Sequence, residues 1–414
     1  MKLLVIADDF TGALDTGIQF AKQEISTAVV LYPPEGQLDL PAEHAVVAVD
    51  TESRHLPPQE AAERVSQVTA AACRLGCRCF FKKTDSTLRG NIGSELEAML
   101  LTMGATRLVF APAFPQLKRY TRKGVQYVGD LPLGESDFAA DPFNPVKHSR
   151  VRDILAEQTA LPVRECPDSA VPAPGEKPEI LVMDSETPEA LSAIGGSLKK
   201  RGELTCLAGC AGFAGVLPEF LDLPRTEQAA QVQSRRVLFV CGSVHPKSVE
   251  QCAWAVKELG YERFSLTAEE LLFGSDRAET VAEALRKTGR VLISGEGGRE
   301  QIPITCALGE KRGLKPALVP GKIAENTGKL AVEVLRRTPA DLLVVFGGDT
   351  LMGIAQAAGC RLVVPCRELT AGVVLSEMHC DLGTIPVVTK AGGFGDVDLM
   401  GLIHGRKRGI DHVL

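Results

Sequence analysis

Residues 77–91 read CRCFFKKTDSTLRGN. Cys77–Phe81 has the composition of a buried strand. Two lysines, an aspartate, three hydroxyls, an arginine and a glycine come next at 82–91, before a helix expected from Gly93 to Met103. An apolar strand that runs into a polar loop and then a helix is one step of a parallel α/β sheet, where ligands bind beyond the carboxyl ends of the strands. The same unit recurs on either side. Leu3–Ala7 leads into DDFTGALDTG (8–17), with a helical pattern near Gly12–Lys22. Ala45–Val49 is a strand, and Gln59–Leu75 carries apolar residues at Ala62, Val65, Val68, Ala72 and Leu75, close to helical period. Leu108–Ala111 leads into PAFPQLKRYTRKG (112–124), and Leu204–Ala208 into GCAGFAG (209–215).

The middle of the chain is less regular. GVQYVGDLPL (124–133) reads as a hairpin turning at Gly129-Asp130, and DPFNPVKHS (141–149) as a proline-punctuated loop before a helix. ECPDSAVPAPGEKP (165–178) reads as a proline-rich surface loop, after which Ile180–Met183 resumes the strand pattern. Residues 218–236 turn polar and place a domain boundary near 225. A second strand series comes after it at Val237–Cys241, Val291–Ser294, Leu342–Phe346 and Pro386–Thr389, apolar enough for a sheet covered on both faces. Alternating β and α in both halves predicts two α/β domains with mainly parallel sheets, 1–225 and 226–414.

Composition narrows the function. The chain has 414 residues, 45% hydrophobic and 24% charged, with a net charge of −6, which disfavours nucleic acid or an anionic membrane as partner. The apolar run at the N-terminus stops at Asp8-Asp9, too short for a signal peptide, and no segment approaches the roughly 20 apolar residues of a membrane span. A cytoplasmic protein is expected, with its 12 cysteines reduced and mostly packed in the core.

The polar loops of the first half bring carboxylates (Asp8, Asp9, Asp85), fixed cations (Lys82, Lys83, Arg89) and hydroxyls (Thr11, Ser86, Thr87). That mixture suits a small, anionic, hydroxyl-rich ligand: a guanidinium grips a carboxylate with two hydrogen bonds, and a carboxylate can take a hydroxyl proton. Any one of these residues could merely cap a helix or end a strand; their concentration at several strand ends points to a site. The second half instead carries four glycine-bearing turns, CGSVHPKS (241–248), SGEGGRE (294–300), FGGDT (346–350) and AGGFGD (391–396). Turns of this kind let backbone N–H groups face phosphates. None completes a standard nucleotide fingerprint. His245, in the first of them, is at most a supporting residue.

In order along nearly the whole chain, ADDFTGALDTG (7–17), KKTDSTLRGN (82–91), APAFP (111–115), DPFNPVKHSRV (141–151), AGCAGFAG (208–215), CGSVHPKSVEQ (241–251), FGGDTLMGI (346–354) and AGGFG (391–395) resemble the four-carbon acid sugar kinases. The resemblance implies a carbohydrate-acid kinase that uses ATP and Mg2+ to phosphorylate the terminal hydroxyl of D-threonate or D-erythronate. A 3-oxo-tetronate kinase is the alternative. It further implies an acid-binding N-terminal domain, a nucleotide-binding C-terminal one and an active-site cleft between them, with the oligomeric state open and a homodimer compatible.

On that reading Arg89 with Lys82 or Lys83 holds the acid's carboxylate, and Asp9, Thr11 and Ser86 hold its hydroxyls. Asp85 is the first choice of base and Asp8 the second, while Arg119 neutralises the transferred group. Ser243, Gly347, Gly348, Asp349, Thr350, Gly392, Gly393 and Gly395 face the nucleotide. Two departures bear on the substrate: Lys118 stands where the family usually has glycine, and Cys210 where serine is frequent. An NAD-dependent dehydrogenase would show a complete dinucleotide fingerprint, and a sugar-acid-binding protein would not need glycine turns in one half only.

Overall fold

The computed structural model describes residues 1–33, 38–140, 145–167, 170–175, 177–225, 235–390 and 392–405. The chain forms two compact units, Met1–Glu227 and Gln228–Leu414.

The first unit opens with β1 (Leu3–Ala7), α1 (Phe10–Ala21), β2 (Thr27–Leu31), β3 (Val46–Asp50), α2 (Pro58–Arg74), β4 (Cys79–Lys83), α3 (Ile92–Thr102) and β5 (Arg107–Ala111). A small antiparallel sheet is next: β6 (Arg119–Arg122), β7 (Val125–Val128) and β8 (Leu131–Pro132), the last two joined at Gly129-Asp130 as the hairpin reading expects. The unit closes with α4 (Val151–Ala156), β9 (Val163–Cys166), β10 (Glu179–Met183), α5 (Pro188–Arg201), β11 (Cys206–Gly209) and α6 (Ala211–Ala214). Residues 141–144 of the expected proline loop, and 168, 169 and 176 of the next one, lie outside the described residues.

The main sheet of this unit runs β2-β3-β1-β4-β11-β5-β10-β9, with every pairing parallel. Every residue of β1, β3, β4 and β5 is buried, so both faces of these strands are covered. Register places Asp50, Ala7, Lys83, Gly209 and Ala111 in one row at the carboxyl edge. Strand order reverses between β1 and β4, so the loops after these two strands open at a topological switch point. One boundary differs from expectation. Lys82 and Lys83 do not lie beyond the strand Cys77–Phe81; they are the last two residues of β4, because their ammonium groups find buried polar surroundings at the sheet edge.

The second unit contains β12 (Val237–Cys241), α7 (Pro246–Leu259), β13 (Glu262–Leu266), α8 (Ala268–Phe273), α9 (Ala278–Thr288), β14 (Arg290–Gly295), α10 (Gln301–Lys311), α11 (Val319–Arg337), β15 (Leu342–Phe346) and α12 (Gly348–Ala357). Then come β16 (Leu362–Thr370), β17 (Val373–Cys380), β18 (Gly383–Lys390) and α13 (Leu399–Ile403). The order is β13-β14-β12-β15-β18-β17-β16. Pairing is parallel from β13 to β18, as expected for the strand at Pro386–Thr389, and β18, β17 and β16 then form an antiparallel meander, of which the sequence pattern picks out only β18. Their residues alternate between the two faces with polar groups interleaved, and the turns between them are short. Register aligns Ser294, Cys241, Phe346 and Lys390 across four neighbouring strands, with the order reversing between β12 and β15.

Candidate active site

At the carboxyl edge of the first unit, α1 begins directly after β1. Asp9 is its N-cap and accepts the Gly12 N–H at 3.0 Å, satisfying one of the orphan donors of a helix start. The same carboxylate meets Arg54, whose Nη1 lies 2.9 Å from Asp9 Oδ2 and whose Nε lies 2.7 Å from Asp8 Oδ2. Sequence reasoning missed Arg54. It sits in TESRH (51–55), the loop into which β3 leads. The rule that singles out the loops beyond β1 and β4 applies equally to this one, and would have found it.

Asp8 is buried, and its second oxygen, Oδ1, has no hydrogen-bond partner. Burial pushes its carboxyl upward, but the charges of Arg54, Lys82 and Lys83 outweigh that and hold it below its ordinary value. Asp8 is therefore an ionised carboxylate with one oxygen unspent. Beside it, Asp50 is fully buried with Oδ2 unpartnered; burial raises its carboxyl well above the ordinary value.

The two lysines of β4 differ. Lys82 is 0% exposed, and its Nζ lies 3.0 Å from Glu95 Oε2 of α3 and donates to the Lys83 carbonyl at 2.9 Å. Burial pushes Glu95 upward against the pull of Lys82, and Ser53 donates to the same carboxyl. Lys83 is 6% exposed, and its ammonium makes no hydrogen bond or ion pair among the described residues. It lies 2.6 Å from where a Cβ on Gly12 would stand, so glycine is required there for the lysine to reach the start of α1. Asp8 feels this charge without bonding to it, so the ammonium keeps its hydrogen-bonding capacity for an anionic ligand.

Asp85 organises the loop itself. Its carboxylate accepts the Thr87 hydroxyl, the Thr87 N–H at 3.3 Å, Arg89 Nε at 2.7 Å and Arg89 Nη2 at 3.2 Å. Burial works to raise its carboxyl, but Arg54 and Arg89 hold it far below the usual carboxylate range. Asn91 pins the far end of the loop by donating to the carbonyls of Ser53 (2.9 Å) and Leu56 (2.8 Å). Ser86 stands half-buried with its carbonyl bound to Gln126, and Thr11 half-buried in the first turn of α1. Arg89 and Arg119 both lie over the Phe138 ring, at 5.4 and 5.6 Å from its centroid. Arg119 Nε is buried without a partner. Arg89 is paired with Asp85, so Arg119 is the guanidinium of this corner left for an anion. Cys210 donates its thiol to the carbonyls of Pro112 (3.2 Å) and Ala113 (3.0 Å), and burial pushes that thiol up to about 11.

In the second unit, turns beyond β12, β15 and β18 gather because Cys241, Phe346 and Lys390 share one register row. A Cβ on Gly242 would lie 1.8 Å from Thr350 Oγ1, so the first turn rests on the start of α12. Gly347, the residue before α12, has φ 114°, which a side chain would strain, and lies 3.5 Å from the Ser243 nitrogen measured at its would-be Cβ. Gly348, half-buried, and Asp349, exposed, form the first turn of that helix. His245 caps α7 by accepting the Lys247 N–H at 3.2 Å, and Gly393 fits against its ring. Burial, with Arg299, Lys390 and Lys247, pushes the imidazole below its ordinary value. Gln251, fully buried on α7, donates to the carbonyls of Phe394, Gly395 and Asp396 at 3.1, 3.2 and 2.9 Å, fixing the last glycine turn, whose Gly392 is exposed. Residue 391 lies outside the described residues. The turn at 294–300 joins β14 to α10.

A family model described as a sugar-binding N-terminal domain matches residues 3–217, and one described as a nucleotide-binding C-terminal domain matches 238–400. The chain belongs to the four-carbon acid sugar kinase family. It is a kinase, and a nucleotide is one of its substrates. It is 30% identical to a D-threonate kinase of Salmonella typhimurium, over 95% of this chain and 96% of that one. It is also 30% identical to a D-erythronate kinase of Heliobacterium modesticaldum, over 96% and 94%. A 3-oxo-tetronate kinase of Burkholderia multivorans is 27% identical, over 95% and 94%. A solved Haemophilus influenzae protein shares the fold at TM-score 0.76 and 19% identity, covering 97% of this kinase and 99% of that chain. Among the described residues, no helix is long and apolar enough to cross a membrane.

Proposed function

We propose that this kinase transfers the γ-phosphoryl group of ATP to the terminal hydroxyl of D-threonate or D-erythronate. The observation that carries the reading is the pairing, at one sheet edge of the first unit, of the Lys83 ammonium, which makes no hydrogen bond or ion pair among the described residues, with a buried Asp8 oxygen that lacks a donor. Lys83 and the Arg89–Arg119 corner supply cations for the acid's carboxylate, and Asp9, Thr11 and Ser86 stand where its hydroxyls need partners. Lys82 is committed to Glu95 and acts by keeping Asp8 ionised.

In the reaction the terminal oxygen bonds to the γ-phosphorus, the bond to the β–γ bridging oxygen breaks, and ADP leaves. The hydroxyl proton goes to Asp8 Oδ1. Asp8 takes precedence over Asp85 as base because the Asp85 carboxylate is already engaged by Thr87 and Arg89. The nucleotide lies on the turns carrying Ser243, Gly347, Gly348, Asp349, Thr350, Gly392, Gly393 and Gly395. Among the described residues no three His, Cys, Asp or Glu side chains gather as a metal cage. A Mg2+ that enters with the nucleotide would need only one or two protein carboxylates, and the exposed Asp349 is the residue that would hold it. When bound, it supplies neutralisation of the β- and γ-phosphate charge.

The first test is a coupled ADP-release screen over four-carbon acids, with the phosphorylated carbon read by 31P–1H NMR. D-threonate or D-erythronate 4-phosphate is expected. Turnover of a 3-oxo-tetronate in preference to both would transfer the assignment to that alternative. For the base, Asp8→Asn is expected to lower kcat by about 10²-fold or more with acid binding retained. Asp85→Asn is expected to act mainly through KM, by releasing Arg89. A reversal of that pattern would return the base to Asp85.

A further inference from the structure

Lys390 ends β18 with its side chain 2% exposed, in the register row shared with Cys241 and Phe346. Its Nζ donates to Ser248 Oγ at 2.9 Å and to the Gly392 carbonyl at 2.5 Å, and lies 4.6 Å from the centroid of the Phe346 ring. Ser248 Oγ in turn donates to Ser243 Oγ at 3.0 Å. The ammonium therefore ties the turn at 241–248 to the start of the turn at 392–396. No carboxylate pairs with it, and its third proton has no acceptor among the described residues. Lysine is seldom this deep without a counter-charge, and a strand end surrounded by turns that expose backbone N–H groups is where a polyphosphate would supply one.

We propose that Lys390 is the buried cation of the second unit that receives the nucleotide's polyphosphate, holding it through direct charge and through the Ser248–Ser243 hydroxyl pair. The proposal rests on the nucleotide reading of this unit and adds a residue to it. Cys241 on β12 and Cys252 and Lys247 on α7 are its titratable neighbours, and His245 on the same helix feels its charge. Burial lowers the Lys390 ammonium to about 8, against the upward pull of the Cys241 and Cys252 thiols and with a smaller downward push from Lys247. Free protein then carries this charge below pH 8 and loses it above, so polyphosphate affinity falls as pH rises through that range. His245, pushed below its ordinary value, is neutral throughout and does not contribute.

The experiment is calorimetric titration of the full chain with ADP–Mg2+ at pH 7, 8 and 9, for the native protein and for K390M and C241S, with melting temperatures of each unliganded form. Native affinity is expected to weaken towards pH 9. K390M is expected to keep a melting temperature at or above native while losing ADP affinity by on the order of 10–100-fold, and C241S to keep the pH slope. ADP binding by K390M within threefold of native overturns the assignment, as does a slope that is absent from the native protein or abolished in C241S. If K390M does not fold, K390R and the native pH slope decide between the same outcomes: K390R must bind ADP without the slope. If no nucleotide binds the native protein, the reading of the second unit falls and Lys390 with it.

Discussion

Two adjacent lysines illustrate how little residue type alone determines a role. Lys82 and Lys83 end the same strand, yet one meets Glu95 and the other meets no carboxylate. Removing one partner of a buried pair strands the other, so Lys82→Met is expected to cost about 3–5 kcal/mol of stability, read from the urea midpoint. Lys83 only adds to the field that keeps Asp8 ionised, so Lys83→Met should shift the midpoint far less while the KM for the acid rises at least tenfold. Equal loss of stability in both variants would contradict the distinction. The sequence made both lysines visible as candidates but could not separate them, because the separating partner lies on the following helix. Arg54 was overlooked although its loop, TESRH, follows a strand end as the others do; what the sequence could not show is that it meets the two aspartates between β1 and α1.

Elements built from uninterrupted apolar runs were legible. β1, β12 and β15 have the ends that their composition predicts, and α2 falls within a residue of its periodic pattern. Of the meander only β18 was legible, since polar residues interrupt the apolar runs of β16 and β17. Close helix contacts are also silent in sequence. Gly328 of α11 and Gly353 of α12 let these helices touch: a Cβ on Gly328 would fall 2.2 Å from the Gly353 carbonyl oxygen, and one on Gly353 would fall 2.1 Å from that of Ala324. These obstacles are backbone and cannot swing aside. Gly328→Ala is expected to lower stability by about 2–3 kcal/mol despite the better helix propensity of alanine. A gain in the denaturation midpoint would show that the helices separate freely, and α12, which carries Asp349 and Thr350, would then be less firmly placed.

Over the whole molecule, the alternation of strands and helices conveyed two mainly parallel α/β units, while buried charge conveyed almost nothing until the fold was built. Asp50 shows what that charge does to the chain's pH response. Its folded carboxyl is raised above the ordinary 3.8, so above that pH the unfolded chain releases a proton that the native state retains. Stability accordingly declines as pH rises from 3.8 towards the raised value. Asp50→Asn removes this titration and should be more stable than the native protein at about pH 8, with the advantage shrinking towards about pH 4. An advantage constant across that range, measured by thermal melts, would assign the effect elsewhere. The unsatisfied ammonium of Lys83 has a practical corollary at this same scale. Any protein that shields a cation and leaves its hydrogen bonds unmade scavenges small oxyanions, so phosphate, sulfate or citrate left from purification should lodge there, raise the melting temperature and slow turnover as competitors of the substrate. Buffers without oxyanions are the ones in which this enzyme's intrinsic rate is to be read.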